Sequence, residues 1–223
     1  MNALLSVIIP DKKKKKMIYK TSHIISSILE KEKIPYEIIF VNDGSKDKTW
    51  EKIKEVSNFR IRGVNFSRNF GKESAMFAGL MKSKGDCCVI IDCDLQHPPE
   101  KIVEMYRLWL QGYEIIEGVK SDRGEESFVH RFAANCFYSI ISKATSIDMS
   151  RASDFKLLDR KAVNVLLNIK EKNAFFRALS SWIGFKTRQI EFEVQQREIG
   201  ESKWSTQSLI KYAITNITSF TDV

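Results

Sequence analysis

Along the chain, short apolar runs alternate with longer segments in which apolar residues return every three or four positions. Residues 4–10 read as a first strand, and residues 23–31 as a helix with Ile24, Ile25, Ile28 and Leu29 on one face. The run YEIIFVNDGS predicts a second strand entering a turn, followed by a helix over KDKTWEKIKEVS. IRGVNFS, CCVIIDCD and YEIIEGVK continue the series of strands. KESAMFAGLMKS and PEKIVEMYRLWLQG supply the helices between them, the second opened by Pro99. This β-α-β-α-β order predicts an α/β fold, a mainly parallel sheet with helices on both faces. Ligands of such sheets bind beyond the carboxyl ends of the strands. There the sequence gathers Asp43-Gly44-Ser45, Ser67-Arg68-Asn69, Asp92-x-Asp94 and Lys120.

Composition narrows the picture. A chain of 223 residues, 43% hydrophobic, suits one sizeable α/β domain and argues against disorder. No apolar run approaches the ~18 residues of a membrane span, and the start, MNALLSVIIP, reads as a strand rather than a signal peptide. Cys87, Cys88, Cys93 and Cys136 show no C-x-x-C spacing. Cys87 and Cys88 would point to opposite faces of a strand, so buried free thiols are expected. The net charge is +8, and the lysines at 12–16 supply five of those eight units. Nucleic-acid binding is therefore not implied; the remaining bias suits a phosphate-rich ligand or an anionic membrane surface.

Three constellations carry candidate chemistry. Asp92 and Asp94 lie two apart, so in an extended segment their carboxylates share one face. Carboxylate oxygen suits Mg²⁺ or Mn²⁺, ions often shared with substrate phosphates. A solvated strand end is the bland alternative, and His97 in the following turn reads as structural. VNDGSKDKT contains ordinary turn formers, and Ser45 or Asp47 would cap the next helix. Alternatively, Asp43 at the strand tip accepts hydrogen bonds from a nucleobase or ribose. NFSRNFGKESAMFAGL sets Arg68, Gly71 and Lys72 before an amphipathic helix, whose N-terminus favours anions; a basic, solvated cap is the plainer account.

VNDGSKDKT, FSRNFGKESAMFAGL, IIDCDLQHPPE, SDFKLLDRKAV and REIGESKW occur in the order found in family 2 glycosyltransferases. The chain resembles their polyprenyl-phosphate branch, the bactoprenol glucosyltransferases and dolichol-phosphate mannose synthases, over roughly residues 4–222. The resemblance implies a GT-A (Rossmann-like) catalytic domain over residues 1–205 and an amphipathic juxtamembrane helix over 206–223. It also implies a nucleotide-sugar donor (a UDP-sugar is expected), Mg²⁺ or Mn²⁺, a polyprenyl-phosphate acceptor and work at the cytoplasmic face of the cell membrane. Pro10, Asp43, Ser45, Arg68, Lys72, Asp92 and Gln96 would bind the donor, with Asp92 and Asp94 at the metal. Asp154 would lie near the donor sugar, and Arg177, Arg197 and Lys203 near phosphates; with Asp94 these form the expected catalytic set.

A phosphate acceptor changes what the site must do. Its second pKa is near ~6, so the nucleophile is already ionised, and the difficulty is bringing two polyanions together. That calls for a metal on the leaving diphosphate and for Arg or Lys on the acceptor. Direct attack on the anomeric carbon implies inversion, with Asp154 as an orienting group or at most an auxiliary base. Transfer to a glycan hydroxyl is the alternative within enzymes, and would make Asp154 an indispensable base. A non-catalytic, membrane-associated homologue is the alternative outside them.

Two departures from the family pattern bear on this. Where relatives carry P-x-Y-N-E, Pro10 is followed by DKKKKKM, so lysines would take over part of the diphosphate binding or simply form a solvated run. Lys120 stands where relatives carry arginine, keeping the charge and losing the bidentate fork. FVHRFAANCFYSIISKA and TQSLIKYAITNITSF have the apolar spacing of core or interfacial helices, and an interfacial role is expected. Relatives continue into transmembrane helices, so a catalytic portion lacking them is expected, with self-association near the membrane a further expectation.

Overall fold

The computed structural model describes residues 3–11, 15–121, 153–169 and 176–193. Its first half follows the predicted alternation. The elements are β1 (Leu5–Asp11), α1 (Ile18–Lys31), β2 (Tyr36–Asn42), α2 (Thr49–Val56), β3 (Ile61–Asn65), α3 (Lys72–Lys82), β4 (Cys87–Ile90), α4 (Lys101–Leu110) and β5 (Ile115–Lys120). After these come β6 (Lys156–Asp159), α5 (Arg160–Asn168), α6 (Phe176–Trp182) and β7 (Thr187–Phe192). The seven strands form one sheet in the order β3-β2-β1-β4-β6-β5-β7. All pairings are parallel except those of β6, which runs antiparallel to both β4 and β5.

Period-two alternation in β1 sorts its side chains between two layers. Leu5, Val7 and Ile9 join Ile18, Ile25 and Leu29 of α1, Ile53 of α2, and Ile102 and Met105 of α4. Ile8 faces the other way, with Met76 and Leu80 of α3, Val163 and Leu166 of α5, and Phe176 and Leu179 of α6. Each such side chain contributes about 1.5–3 kcal/mol on burial. Cys87 and Cys88 fall in opposite layers, as their adjacency requires, and with Cys93 they are buried free thiols.

Two boundaries differ from expectation. Helix α1 begins at Ile18, five residues before the predicted start at 23. Its first turn is polar in sequence, yet Thr21 and Ser22 are buried because their hydroxyls donate to the carbonyls of Cys93 and Tyr19. Strand β4 ends at Ile90, so Asp92 and Asp94 lie in a turn rather than in an extended segment. Leu95 makes that turn with φ 58°, uncommon for a non-glycine residue, and its buried side chain holds the backbone there.

Among the described residues, no helix is long and apolar enough to cross a membrane. The segments expected to meet a membrane, within 128–144 and 206–223, lie outside the described residues, as do the lysines at 12–14.

Candidate functional site

The antiparallel strand β6 builds the site. Its register sets Ile90 of β4 opposite Lys156. Continued two residues beyond each strand, that register brings Asp92 to the same sheet edge as Asp154. The ammonium of Lys72, the first residue of α3, bridges them at 2.7 Å from Asp92 Oδ1 and 2.8 Å from Asp154 Oδ2. Arg177 of α6 grips Asp154 with both arms, Nε to Oδ1 at 2.6 Å and Nη2 to Oδ2 at 3.0 Å. Four residues expected to serve the reaction, from segments as far apart as 72 and 177, thus form one linked cluster.

The charges hold one another. Burial alone would raise Asp154, but Arg177 and Lys72 overcome it and hold the carboxyl well below the usual range. Burial likewise opposes ionisation of Asp92, and the Lys72 charge keeps it lowered. Lys72 itself is driven down by burial and more strongly up by Asp154 and Asp92, ending above an ordinary lysine. An aspartate so stabilised as an anion is a poor general base.

Glu73, beside Lys72, escaped sequence reasoning: an acidic residue in a first helical turn reads as an ordinary partner of the helix dipole. Its Oε2 accepts the N–H of Phe176 at 3.0 Å, pinning the start of α6. Burial first, then the neighbouring Asp154, push its carboxyl up to about 7, against the lowering effects of the Phe176 N–H, Arg177 and Lys72. Folding therefore favours protonated Glu73, so this group's contribution to stability is complete below its ordinary 4.5 and is lost as pH rises through about 7. Glu73→Gln, which imitates the neutral acid, is expected to raise the melting temperature relative to wild type at pH 8 and not at pH 4.5. Equal shifts at both pH values would contradict that assignment.

Asp43 lies at the end of β2, 3% exposed, with its carboxylate turned toward the loop before α3. It accepts the N–H of Phe70 at 2.7 Å and of Gly71 at 3.1–3.2 Å. The anion at the entrance to α3 is thus the chain's own Asp43, and this arrangement organises the loop that carries Arg68. The Arg68 guanidinium lies over the Phe70 ring, 4.3 Å from its centroid. Gly44 makes the close approach possible: at φ 59°, a Cβ there would fall 2.2 Å from the Arg68 carbonyl carbon. Gly44→Ala is expected to displace this loop and cost about 1–3 kcal/mol, read as a lower melting temperature; an unchanged melting temperature would contradict the packing argument.

The other predicted positions sort as follows. Pro10 is buried in β1, and Ser45 donates its N–H to Asn42 Oδ1 at 3.3 Å. Asp47, rather than Ser45, engages the start of α2 through the N–H and hydroxyl of Thr49. Asp94 is 5% exposed and accepts the N–H of Gln96 at 3.4 Å. His97 is structural, stacked on Phe155 at 5.0 Å and edge-on to Phe192 at 5.3 Å. Arg197 and Lys203 lie outside the described residues.

Among the described residues, no group of three or more His, Cys, Asp or Glu could hold a metal alone. Asp92 and Asp94 offer only carboxylate oxygen, from a turn whose central carbonyl, that of Cys93, is fixed by Thr21. This donor set suits a hard cation that completes its shell with phosphate oxygens.

Comparison with known proteins bears on the fold and the family. The chain is 38% identical over 218 residues to an uncharacterized glycosyltransferase of Bacillus subtilis, covering 96% of this chain and 68% of that one. It is 35% identical to a prophage bactoprenol glucosyl transferase homolog of Escherichia coli, covering 92% of this chain and 67% of the relative. It therefore spans about two thirds of the length of these relatives. Glucosyl-3-phosphoglycerate synthase of Mycobacterium tuberculosis, solved with Mn²⁺, UDP-glucose and phosphoglyceric acid, superposes with a TM-score of 0.64 at 17% identity, over 98% of this chain and 80% of that one. That likeness is one of fold, the GT-A fold anticipated from the motifs. The glycosyl transferase family 2 profile matches residues 6–177, and the chain belongs to that family as a glycosyltransferase.

Proposed function

We infer that this glycosyltransferase moves a hexose, glucose foremost, from a UDP-sugar to a polyprenyl phosphate, with inversion at the anomeric carbon. The observation that carries the reading is the Lys72–Asp92–Asp154–Arg177 cluster, in which Asp154, the carboxylate that a hydroxyl acceptor would require as its base, is locked as an anion between two cations. An acceptor that is already ionised needs no such base, and the relatives named as bactoprenol glucosyl transferases point to the same class.

In this reading Asp92 and Asp94 hold Mg²⁺ or Mn²⁺, which would neutralise charge on the leaving diphosphate. Lys72, between Asp92 and Asp154, and Arg177 on Asp154 supply positive charge, and Asp154 orients both. An incoming phosphate competes with Asp154 for their N–H donors, a charge-assisted exchange favoured where water is excluded. The lipid acceptor supports work at the cell membrane, and the nucleotide-sugar donor supports its cytoplasmic face.

A second reading, transfer to a glycan hydroxyl, would draw on Glu73, next to Lys72 in sequence, whose carboxyl burial and Asp154 push up to about 7, in the range that suits a general base. Calorimetric titration with UDP and GDP, each with Mn²⁺ and with chelator, tests the donor: cation-dependent binding of UDP is expected, and no binding of either nucleotide would overturn the reading. Offering a glycan acceptor then separates the two: transfer to it that Glu73→Gln abolishes would favour the second.

A further inference from the structure

Beneath the cluster lies a charge that the mechanism above does not use. Lys156, the first residue of β6, is 1% exposed, inside the sheet between β4 and β5. Its Nζ lies 3.0 Å from Oε1 of Glu117, its register partner on β5. It also donates to Ser180 Oγ at 2.8 Å, to Ser181 Oγ at 3.3 Å and to the carbonyl of Arg177 at 3.4 Å. Ser180 and Ser181 in turn donate their hydroxyls to that same carbonyl, both at 3.1 Å.

A buried lysine–glutamate pair in a sheet is weak evidence of stabilisation, since a packed apolar pair of the same volume serves as well or better. This pair does something an apolar pair cannot. Its ammonium reaches out of the sheet into α6 and converges, directly and through two serines, on the backbone of one residue. That residue is Arg177, whose guanidinium holds Asp154 in the bidentate grip. Phe155 alone separates Asp154 from Lys156 in sequence. The segment leading into β6 thus carries both ends of a closed loop: Asp154 takes the side chain of Arg177 while Lys156 takes its carbonyl.

We propose that Lys156 is a positioning residue, which through Ser180 and Ser181 fixes α6 so that the Arg177 guanidinium is presented to Asp154 and to the substrate phosphate. The proposal rests on the functional reading above for the phosphate, and on the geometry alone for the placement of α6.

Lys156→Met alone would leave Glu117 buried without its cation, so it is paired with Glu117→Gln. A second variant, Ser180→Ala with Ser181→Ala, cuts the link at the helix and keeps the ion pair. Each pair of substitutions is expected to lower kcat for transfer from UDP-glucose to undecaprenyl phosphate by roughly 10- to 100-fold, the loss typical of a misplaced group. The donor KM should stay within about threefold. Introduced into Arg177→Ala, neither pair should lower kcat further. The same fold loss with and without Arg177, or no loss in kcat, overturns the proposal.

Hydrogen exchange of the ligand-free protein reads the placement independently of any substrate. Amides of Phe176–Trp182 should exchange at least about tenfold faster in both variants, with β1 and β2 unchanged; unaltered exchange in α6 overturns the proposal. Faster exchange in a protein whose wild type transfers nothing would instead uphold the positioning role and remove the functional reading.

Discussion

Asp154→Asn is expected to lower the rate of sugar transfer by roughly 100-fold or more and to destabilise the protein by about 3 kcal/mol. Both effects have one origin. Asp154 is 6% exposed and satisfies Arg177 through two bonds and Lys72 through a third. Neutralising it takes a carboxylate partner from two cations at a partly buried site, while Asp92 still pairs with Lys72. Because Lys72 is 41% exposed and water screens it, the lower end of the range for broken buried pairs applies. For a chain of this size the loss corresponds to roughly 6–12 °C in melting temperature. The sign of the pH dependence follows from the depressed carboxyl. Its stabilisation is present above the ordinary 3.8 and is lost as pH falls toward the folded-state value. The gap in melting temperature between wild type and Asp154→Asn should therefore be full at pH 7 and close in acid. A gap that persists unchanged at pH 3 would show that lost packing, and not lost charge, is responsible.

Asp92→Asn and Asp94→Asn are each expected to abolish the cation-dependent part of UDP binding. The two carboxylates stand at one turn, and no third acidic or histidine ligand joins them among the described residues. A cation shared with a diphosphate cannot lose one of two protein donors cheaply; a loss of about 100-fold in apparent nucleotide affinity is expected. The variants should behave in Mn²⁺ as the wild type does in chelator. They should differ from one another in stability. Asp92→Asn removes a partner of Lys72, whereas the carboxylate of Asp94 meets the turn through the N–H of Gln96. Variants that retain tighter binding in Mn²⁺ than in chelator would remove the carboxylates from the cation site.

The parts of this fold that the sequence announces are those whose side chains repeat regularly. Strands β1 to β5 and the helices between them are legible because short apolar runs alternate with segments whose apolar positions return every three to four residues. Strand β6 is not, because it opens on a lysine and closes on an aspartate around only two apolar residues. That lysine reads as a solvent-facing position until Glu117 of β5 and the hydroxyls of α6 are seen around it. The antiparallel direction of β6 is equally invisible in sequence, yet it is what turns Asp154 back toward Asp92. Candidate site residues were therefore legible as chemistry and not as contacts. Lys72 stood out as a cation before a helix, and only the fold reveals it as the bridge between two carboxylates. Asp43 stood out as a strand-tip carboxylate, and the fold commits its oxygens to Phe70 and Gly71. Glu73 had no sequence signal, since its raised proton affinity comes from burial and then Asp154, both supplied by tertiary packing.

The central claim, transfer of a hexose from a nucleotide diphosphate to a lipid phosphate, is tested most directly by one assay. The protein is incubated with UDP-[¹⁴C]glucose, Mn²⁺ and undecaprenyl phosphate in detergent, and label passing into the organic phase is counted. Cation-dependent, organic-soluble label that is absent when undecaprenol replaces undecaprenyl phosphate is the predicted result. Transfer to undecaprenol, or none to the phosphate while UDP still binds with Mn²⁺, would contradict it.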